Sequence, residues 1–282
     1  MNQDPALKAR YRRILRFASL ALAELWWFEL ALPQVGLAKL GARGRVRRLT
    51  RMARNFHDLA ADLGGLMVKV GQFLSSRFDV LPESVTRELS GLQDEVAPQP
   101  FELIAKSIES ELGMPVEVAF AEIDQDPIAA ASLGQAYRAK LSAGLAADLG
   151  YDSVIIKVLR PGIEDIVDVD LKALRKVGGW LSRVKLVSRR TDAPALVEEF
   201  ATTTLEEVNY LHEAGNLERF AADYAGDARI GTPEVIWERS ARRVLTLSNV
   251  SAIKINDIDA LIEAGIDPNA VAAELARVTF EQ

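Results

Sequence analysis

Ala129-Ala-Ala-Ser132-Leu-Gly134-Gln135 and, twenty-odd residues on, Val154-Ile-Ile-Lys157 are the two stretches that decide the fold. The first is a small-residue turn between an apolar segment, Val116 to Ile123, and Ala136-Tyr137-Arg138-Ala139. The second is a β-branched run that ends in lysine. β-Branched residues suit a pleated, half-buried surface, and Gly and Ser suit tight turns. The order therefore reads as strand, tight loop, strand, and a further strand ending in a cation.

That layout is the one a kinase-type nucleotide site requires. Backbone N–H groups of the loop cover the phosphates, and the lysine pairs with the α- and β-phosphates. Here alanine stands where protein kinases carry glycine, and its Cβ leaves the loop fewer backbone shapes over a triphosphate. Taken singly, each half has a plainer reading, as an ordinary turn and as a strand ending in a solvated lysine. The ordered pair, with Glu213 in a helix downstream, carries the nucleotide reading.

At 282 residues, with 49% apolar and 26% charged residues, the chain has an ordinary globular composition and can build one large or two smaller domains. It has no cysteine, which excludes disulfides and thiolate metal sites and fits a reducing compartment. Two histidines, His57 and His212, stand in no ligand spacing and read as structural or solvated. No metal site is expected from this chain's own residues.

Charge is distributed unevenly. Residues 1–55 hold twelve Lys/Arg against Asp4, Glu24 and Glu29, a balance of +9, which leaves −15 for the remainder of a chain whose total is −6. A basic arm on an acidic body points to an anionic surface, membrane or nucleic acid, with membrane the stronger expectation. Between the basic clusters lies Phe17 to Leu32, about sixteen residues with two glutamates, too short and too charged to span a bilayer. The acids also interrupt it as a cleavable signal. Trp26, Trp27 and Phe28 suit a helix lying in the headgroup layer, or else pack on the body of the protein.

Along the rest of the chain, Leu49 to Phe78 reads as one helix, a second restarts at Leu81-Pro82-Glu83, and a third runs from Phe101 to Leu112 before Gly113. Strand signals begin at Val116 and recur at Ala136–Leu141, Val154–Leu159 and Val235–Leu247. Between the last two lie a helix over Ile166–Val187 and a long acidic helix over Pro194–Tyr224. The body is expected to be α+β, a small antiparallel sheet wrapped in helix.

Four ordered motifs give a family resemblance. Lys69-Val-Gly71-Gln72, Ala130-Ala131-Ser132-Leu133-Gly134-Gln135, Lys157 with Arg160-Pro161-Gly162, and Glu207-Val-Asn209-Tyr-Leu-His-Glu213 match signatures of the UbiB/ADCK (AarF-like) family of atypical protein-kinase-like proteins. The resemblance runs from about Leu63 to Gln282. It implies a kinase-like N-lobe with an N-terminal helical extension. The implied division is a basic arm over 1–55, the extension over 56–115, and the N-lobe over 116–282 with a helical insert at 163–224 and the start of a hinge and C-lobe. It also implies that the alanine-rich loop, Lys157 and Glu213 hold ATP with Mg²⁺. Lys69, Gly71 and Gln72 would form a regulatory element meeting Glu207 and position 209. Asn209 stands where the family carries a carboxylate; it can accept a hydrogen bond from Lys69 but offers no charge.

The resemblance further implies a role in isoprenoid-quinone biosynthesis or lipid homeostasis at a membrane, with quinone-biosynthesis proteins and an anionic surface or isoprenoid lipid as partners. The location implied is cytoplasmic and peripheral, at the inner face of the plasma membrane in a bacterium; no nucleic-acid partner is expected. Leu245 to Ala252 departs from the family's hinge pattern. No His-x-Asp loop or Asp-Phe-Gly follows Glu213, and Asp62-Leu-Gly64 and Asp148-Leu-Gly150 precede Lys157 and read as turns or helix. Pro268 to Gln282 reads as an amphipathic helix that ends without a cap, so the chain is expected to be an N-terminal portion with no catalytic residue and no phosphoryl transfer of its own. Two readings stay open, the N-terminal part of a UbiB-like ATPase or kinase, and a non-catalytic, membrane-associated pseudokinase scaffold.

Overall fold

The computed structural model describes residues 4–39, 43–77, 81–93, 97–184, 191–250 and 252–281. The expected helix ends at Phe78 and Val187, Ser251 in the hinge, and Gln282 lie outside these residues.

Helix α1 (Pro5–Trp26) starts at an Asp4 cap whose carboxylate accepts from Ala6 N–H, and it runs on through a π-turn, Trp27–Ala31, and a last turn, Leu32–Gln34. Helices α2 (Arg45–Leu63) and α3 (Leu66–Ser75) replace the single helix expected over Leu49–Phe78. The break falls at Gly64 and Gly65, both at positive φ (63° and 58°), a region closed to a helix and costly for any residue with a Cβ. Helix α4 (Glu83–Ser90) and α5 (Phe101–Leu112) follow, α5 ending at Gly113 in the left-handed region.

The sheet comprises β1 (Phe120–Ile123), β2 (Ala129–Ala130), β3 (Gly134–Leu141), β4 (Ser153–Leu159) and β5 (Val244–Ser248), with α6 (Ala143–Leu149) between β3 and β4. It is antiparallel throughout, in the order β1-β3-β4-β5, with β2 also on β3. The expected first strand starts late because Pro115 opens a helical turn over Val116–Ala119. The expected last strand is shorter, with Val235 making only an isolated bridge to Leu247. Both Asp-Leu-Gly triplets sit at helix ends, Gly64 closing α2 and Gly150 closing α6.

Strand alternation divides β4 between two cores. Val154, Ile156 and Val158, fully buried, pack with Ile104 and Ile108 of α5 and with Phe120 and Tyr137. Leu159 belongs to the other core, with Leu133, Leu245 and residues of α7 (Ile163–Leu181), α8 (Ala193–Glu207) and α9 (Tyr210–Asp223). Lys157 is on the α7–α9 side. The acidic helix expected over Pro194–Tyr224 is two helices. Val208 ends the first, and Asn209 is extended (φ −134°, ψ 94°), so that Tyr210 N–H leaves the helical ladder and donates to Arg242 O at 2.9 Å.

The N-terminal arm is part of this fold. Ile14 of α1 is buried with Ala60, Met67, Val68, Leu92 and Ala173. Arg10 is buried against Asp170, Arg13 pairs with Asp62, Arg51 with Glu24 and Arg54 with Glu88. Phe28 lies under the Arg48 guanidinium, 4.1 Å from the ring centroid. Arg10 is thus taken from the surface charge expected of a membrane arm, and Arg13, Arg51 and Arg54 stay exposed beside their carboxylates, while Trp26 and Trp27 are 54% and 53% exposed. Among the described residues no helix is long and apolar enough to cross a membrane.

Contacts divide the chain after Ser248, residues 1–248 forming one compact unit. The second, residues 249–282, contains α10 (Ile258–Glu263) and α11 (Pro268–Glu281), which touch each other.

Candidate functional site

Two lysines and two glutamates line a single cleft of about 390 Å³ beneath the β2–β3 hairpin. Lys157 reaches it from β4 and is ion-paired to Glu213, with its ammonium 5.2 Å from the centroid of the Tyr210 ring. Glu213 lies in the first turn of α9, where the positive end of the helix dipole favours a carboxylate. Lys69 reaches the cleft from α3 and is ion-paired to Glu207, the last residue of α8. The break at Asn209 makes this possible. On one continuous helix, residues 207 and 213 would face apart, but on two helices both carboxylates enter one cleft.

The hairpin is held by its own backbone and by Arg160. Ala131 N–H donates to Gly134 O at 2.8 Å, and Arg160 N–H to Leu133 O at 2.9 Å. The Arg160 guanidinium donates to Ala131 O at 2.9 Å and to Ala97 O at 3.0 Å. Among the described residues, nothing takes up the N–H groups of Ser132 and Leu133. Those are the donors such a loop offers to a phosphate. At Gly134 there is no room for a side chain, because a Cβ would come within 2.4 Å of the Tyr210 hydroxyl and 2.9 Å of Val158 O.

The sequence motifs divide once they are placed. Ala129, Ala131, Ser132, Leu133, Gly134, Gln135 and Ala136 line the cleft; Ala130 does not, because alternation along β2 turns it to the other face. Leu133 contributes backbone, its side chain being buried in the core. Gln135 is buried, accepting from Gln99 N–H at 2.5 Å and donating to the Tyr137 hydroxyl, so its side chain anchors the segment before α5. Within Lys69-Val-Gly71-Gln72 only the lysine reaches the cleft. Gly71 lets α3 lie against Leu92, whose Cδ1 would be 2.1 Å from a Cβ there, and Gln72 donates to Leu92 O at 3.3 Å. Asn209 does not serve Lys69: its Oδ1 accepts from Leu211 N–H at 3.3 Å and caps α9.

Tyr210 is the cleft residue that sequence reasoning missed. Its spacing of three from Glu213 put both on one helix face, a signal available before the structure. Burial, with the Glu213 charge nearby, pushes its phenol well above the ordinary range, so it stays a neutral hydrogen-bonding wall. Burial and repulsion from Lys157 hold the Lys69 ammonium below the usual lysine range despite its pair with Glu207.

Two cations balanced by two anions leave the cleft near neutral. An incoming polyphosphate therefore competes with Glu207 and Glu213 for the ammonium groups. Among the described residues no group of three or more His, Cys, Asp or Glu side chains is placed to hold a metal ion. The two cleft carboxylates are already engaged by lysines, so these residues do not fit Mg²⁺.

The ABC1 atypical kinase-like domain matches residues 91–282. The Arabidopsis thaliana protein "ACTIVITY OF BC1 COMPLEX KINASE 8, chloroplastic" is 38% identical over 240 residues, 84% of this chain and 30% of that protein. "Probable protein kinase UbiB" of Pseudomonas aeruginosa is 32% identical over 260 residues, 91% of this chain and 46% of that protein. The chain thus spans 30% and 46% of the length of these two relatives. Among solved structures, the Rv3197–erythromycin complex from Mycobacterium tuberculosis is 26% identical, with a TM-score of 0.49 over 72% of this chain and 49% of that one. The chain belongs to the ABC1 atypical kinase-like family, alongside the UbiB and ABC1-complex kinases.

Proposed function

We propose that the cleft under the alanine-rich hairpin binds the phosphates of ATP, and that the chain is the nucleotide-binding portion of a UbiB-type atypical kinase or ATPase. The observation that carries this is the Lys157–Glu213 pair, set directly below a hairpin with two backbone N–H groups to spare. In this reading Glu213 keeps the Lys157 ammonium extended toward the α- and β-phosphates, and the Ser132 and Leu133 N–H groups cover them. Lys69 adds a second cation. Mg²⁺ would reach the phosphates with the nucleotide.

Isothermal titration with ATP, in the presence and absence of Mg²⁺, tests the reading. Binding weakened at least tenfold by Lys157→Ala is expected. Equal affinity in wild type and variant would overturn it.

The family resemblance supports a role for the whole protein in isoprenoid-quinone biosynthesis or lipid homeostasis. Exposed Trp26 and Trp27 support peripheral attachment to an anionic membrane. A non-catalytic scaffold is the second reading, and it is favoured by the Lys69–Glu207 pair, which engages a cleft carboxylate that a metal would otherwise use.

A further inference from the structure

Beside the polar cleft, and separate from it, a second cavity of about 330 Å³ opens between α1, α3, α7 and α8. Among the described residues, the nineteen that line it are all apolar, Ala21, Val70, Leu174 and Val197 among them. Water in such a cavity finds no hydrogen-bond partners and is readily displaced. Gly178 brings α7 tightly onto α8, with Val197 Cγ2 3.2 Å from where a Cβ would stand, so one end is closed by backbone packing. On another side stand Phe73 and Phe200, their ring centroids 5.5 Å apart. The same two rings line the neighbouring pocket that contains Lys69 and Glu207. They form an aromatic wall between carbon and charge.

We propose that this cavity is a binding site for one neutral hydrocarbon segment, such as an acyl or prenyl chain. Its size is that of a small-molecule pocket. An apolar cavity of about 150 Å³ holds benzene, so this one accommodates roughly a dozen carbons. Among the described residues the lining offers nothing to a charged or hydrogen-bonding group, and the Phe73–Phe200 wall stands between the cavity and the ion pair. The occupant is therefore a chain or ring of carbon, with any polar head left at the mouth.

The probe is N-phenyl-1-naphthylamine, a neutral dye whose fluorescence rises in apolar sites, titrated into the full chain without nucleotide. Its outcome is thus independent of ATP binding. Saturable binding of one dye per chain is expected. Ala21→Phe and Val197→Phe, which fill the cavity from α1 and from α8, should each weaken it at least tenfold, with circular dichroism and unfolding midpoints showing that the variants fold. If one variant fails to fold, the other gives the result. Trp26→Ala/Trp27→Ala should leave affinity within twofold. Binding that does not saturate, that survives both filled variants, or that is lost with the tryptophans overturns the site. So does light scattering that shows a dimer abolished by the filling variants, because a second copy would then be the occupant.

Discussion

Arg10 of α1 and Asp170 of α7, 160 residues apart in sequence, form a paired salt bridge in the interior, with Nε and Nη2 each 2.6 Å from a carboxylate oxygen. Asp170 is fully buried, and Arg10 also donates to Leu63 O at 2.6 Å and Gly64 O at 3.0 Å. One guanidinium thus ties the first helix, the break before α3 and α7 together. Removing one partner strands a buried charge, which typically costs about 3–5 kcal/mol. We expect Arg10→Ala to lower the urea unfolding free energy by that order, and Arg10→Met/Asp170→Leu to recover much of it. A single-variant loss below about 1 kcal/mol would show the pair to be solvated.

Lys69 gives a pH signature. Its ammonium titrates below the ordinary value of 10.5, chiefly because it is buried. Between the lowered value and 10.5 the unfolded chain binds more protons than the folded one, so stability rises with pH there. Below that window the contribution is constant and unfavourable. The difference in unfolding free energy between wild type and Lys69→Gln should therefore grow in favour of wild type as pH rises through that window. A flat difference, or one of opposite slope, would mean that the Glu207 pairing outweighs burial.

Periodicity and turn chemistry made the sheet and its lysine legible, because Val154, Ile156 and Val158 alternate with Lys157 on a strand whose two faces meet different cores. The helix breaks were less legible. Apolar spacing continues across Gly64-Gly65 and across Val208-Asn209, and only backbone conformation shows that the ladder stops. The same break shapes the site, where Asn209, expected to accept from Lys69, caps its own helix. The ion pairs of the arm were hidden for a different reason. A count of charges cannot reveal that Arg10, Arg13, Arg51 and Arg54 find carboxylates within the chain.

Asn209 now carries a local prediction. Replacing an N-cap asparagine by alanine typically costs about 1 kcal/mol, whereas aspartate caps equally well. Asn209→Ala should lose about that much and Asn209→Asp close to nothing. Both effects should be the same in a Lys69→Ala background, as measured by denaturant unfolding. A coupling above about 0.5 kcal/mol in that double-mutant cycle would restore a contact between the two residues.

Gly134→Ala should damage the hairpin, since its Cβ would come within 2.4 Å of the Tyr210 hydroxyl and 2.9 Å of the Val158 carbonyl. Overpacking of this kind costs about 1–3 kcal/mol. Tyr210→Phe removes the first clash and leaves the second, so the double variant should regain part of the stability. No rescue would assign the damage to the backbone contact alone.

The last prediction concerns the membrane. Trp26 and Trp27 are exposed at the end of α1, and among the described residues Arg12, Arg16 and Arg47 have no carboxylate within ion-pair distance. Three such cations near an anionic leaflet contribute about 1 kcal/mol each, and the indoles add interfacial anchoring. That is enough for reversible attachment and far short of permanent insertion. In flotation with phosphatidylserine-containing vesicles the chain should rise with the lipid at low ionic strength and be released by salt. Trp26→Ala/Trp27→Ala should cut the bound fraction several-fold without changing the unfolding midpoint, because neither ring is buried. Deleting the arm is the wrong test, since it would also remove Arg10 from Asp170 and Ile14 from its core. If the double tryptophan variant floats as well as wild type, the exposed indoles are not the anchor and the cations alone must account for any binding that remains.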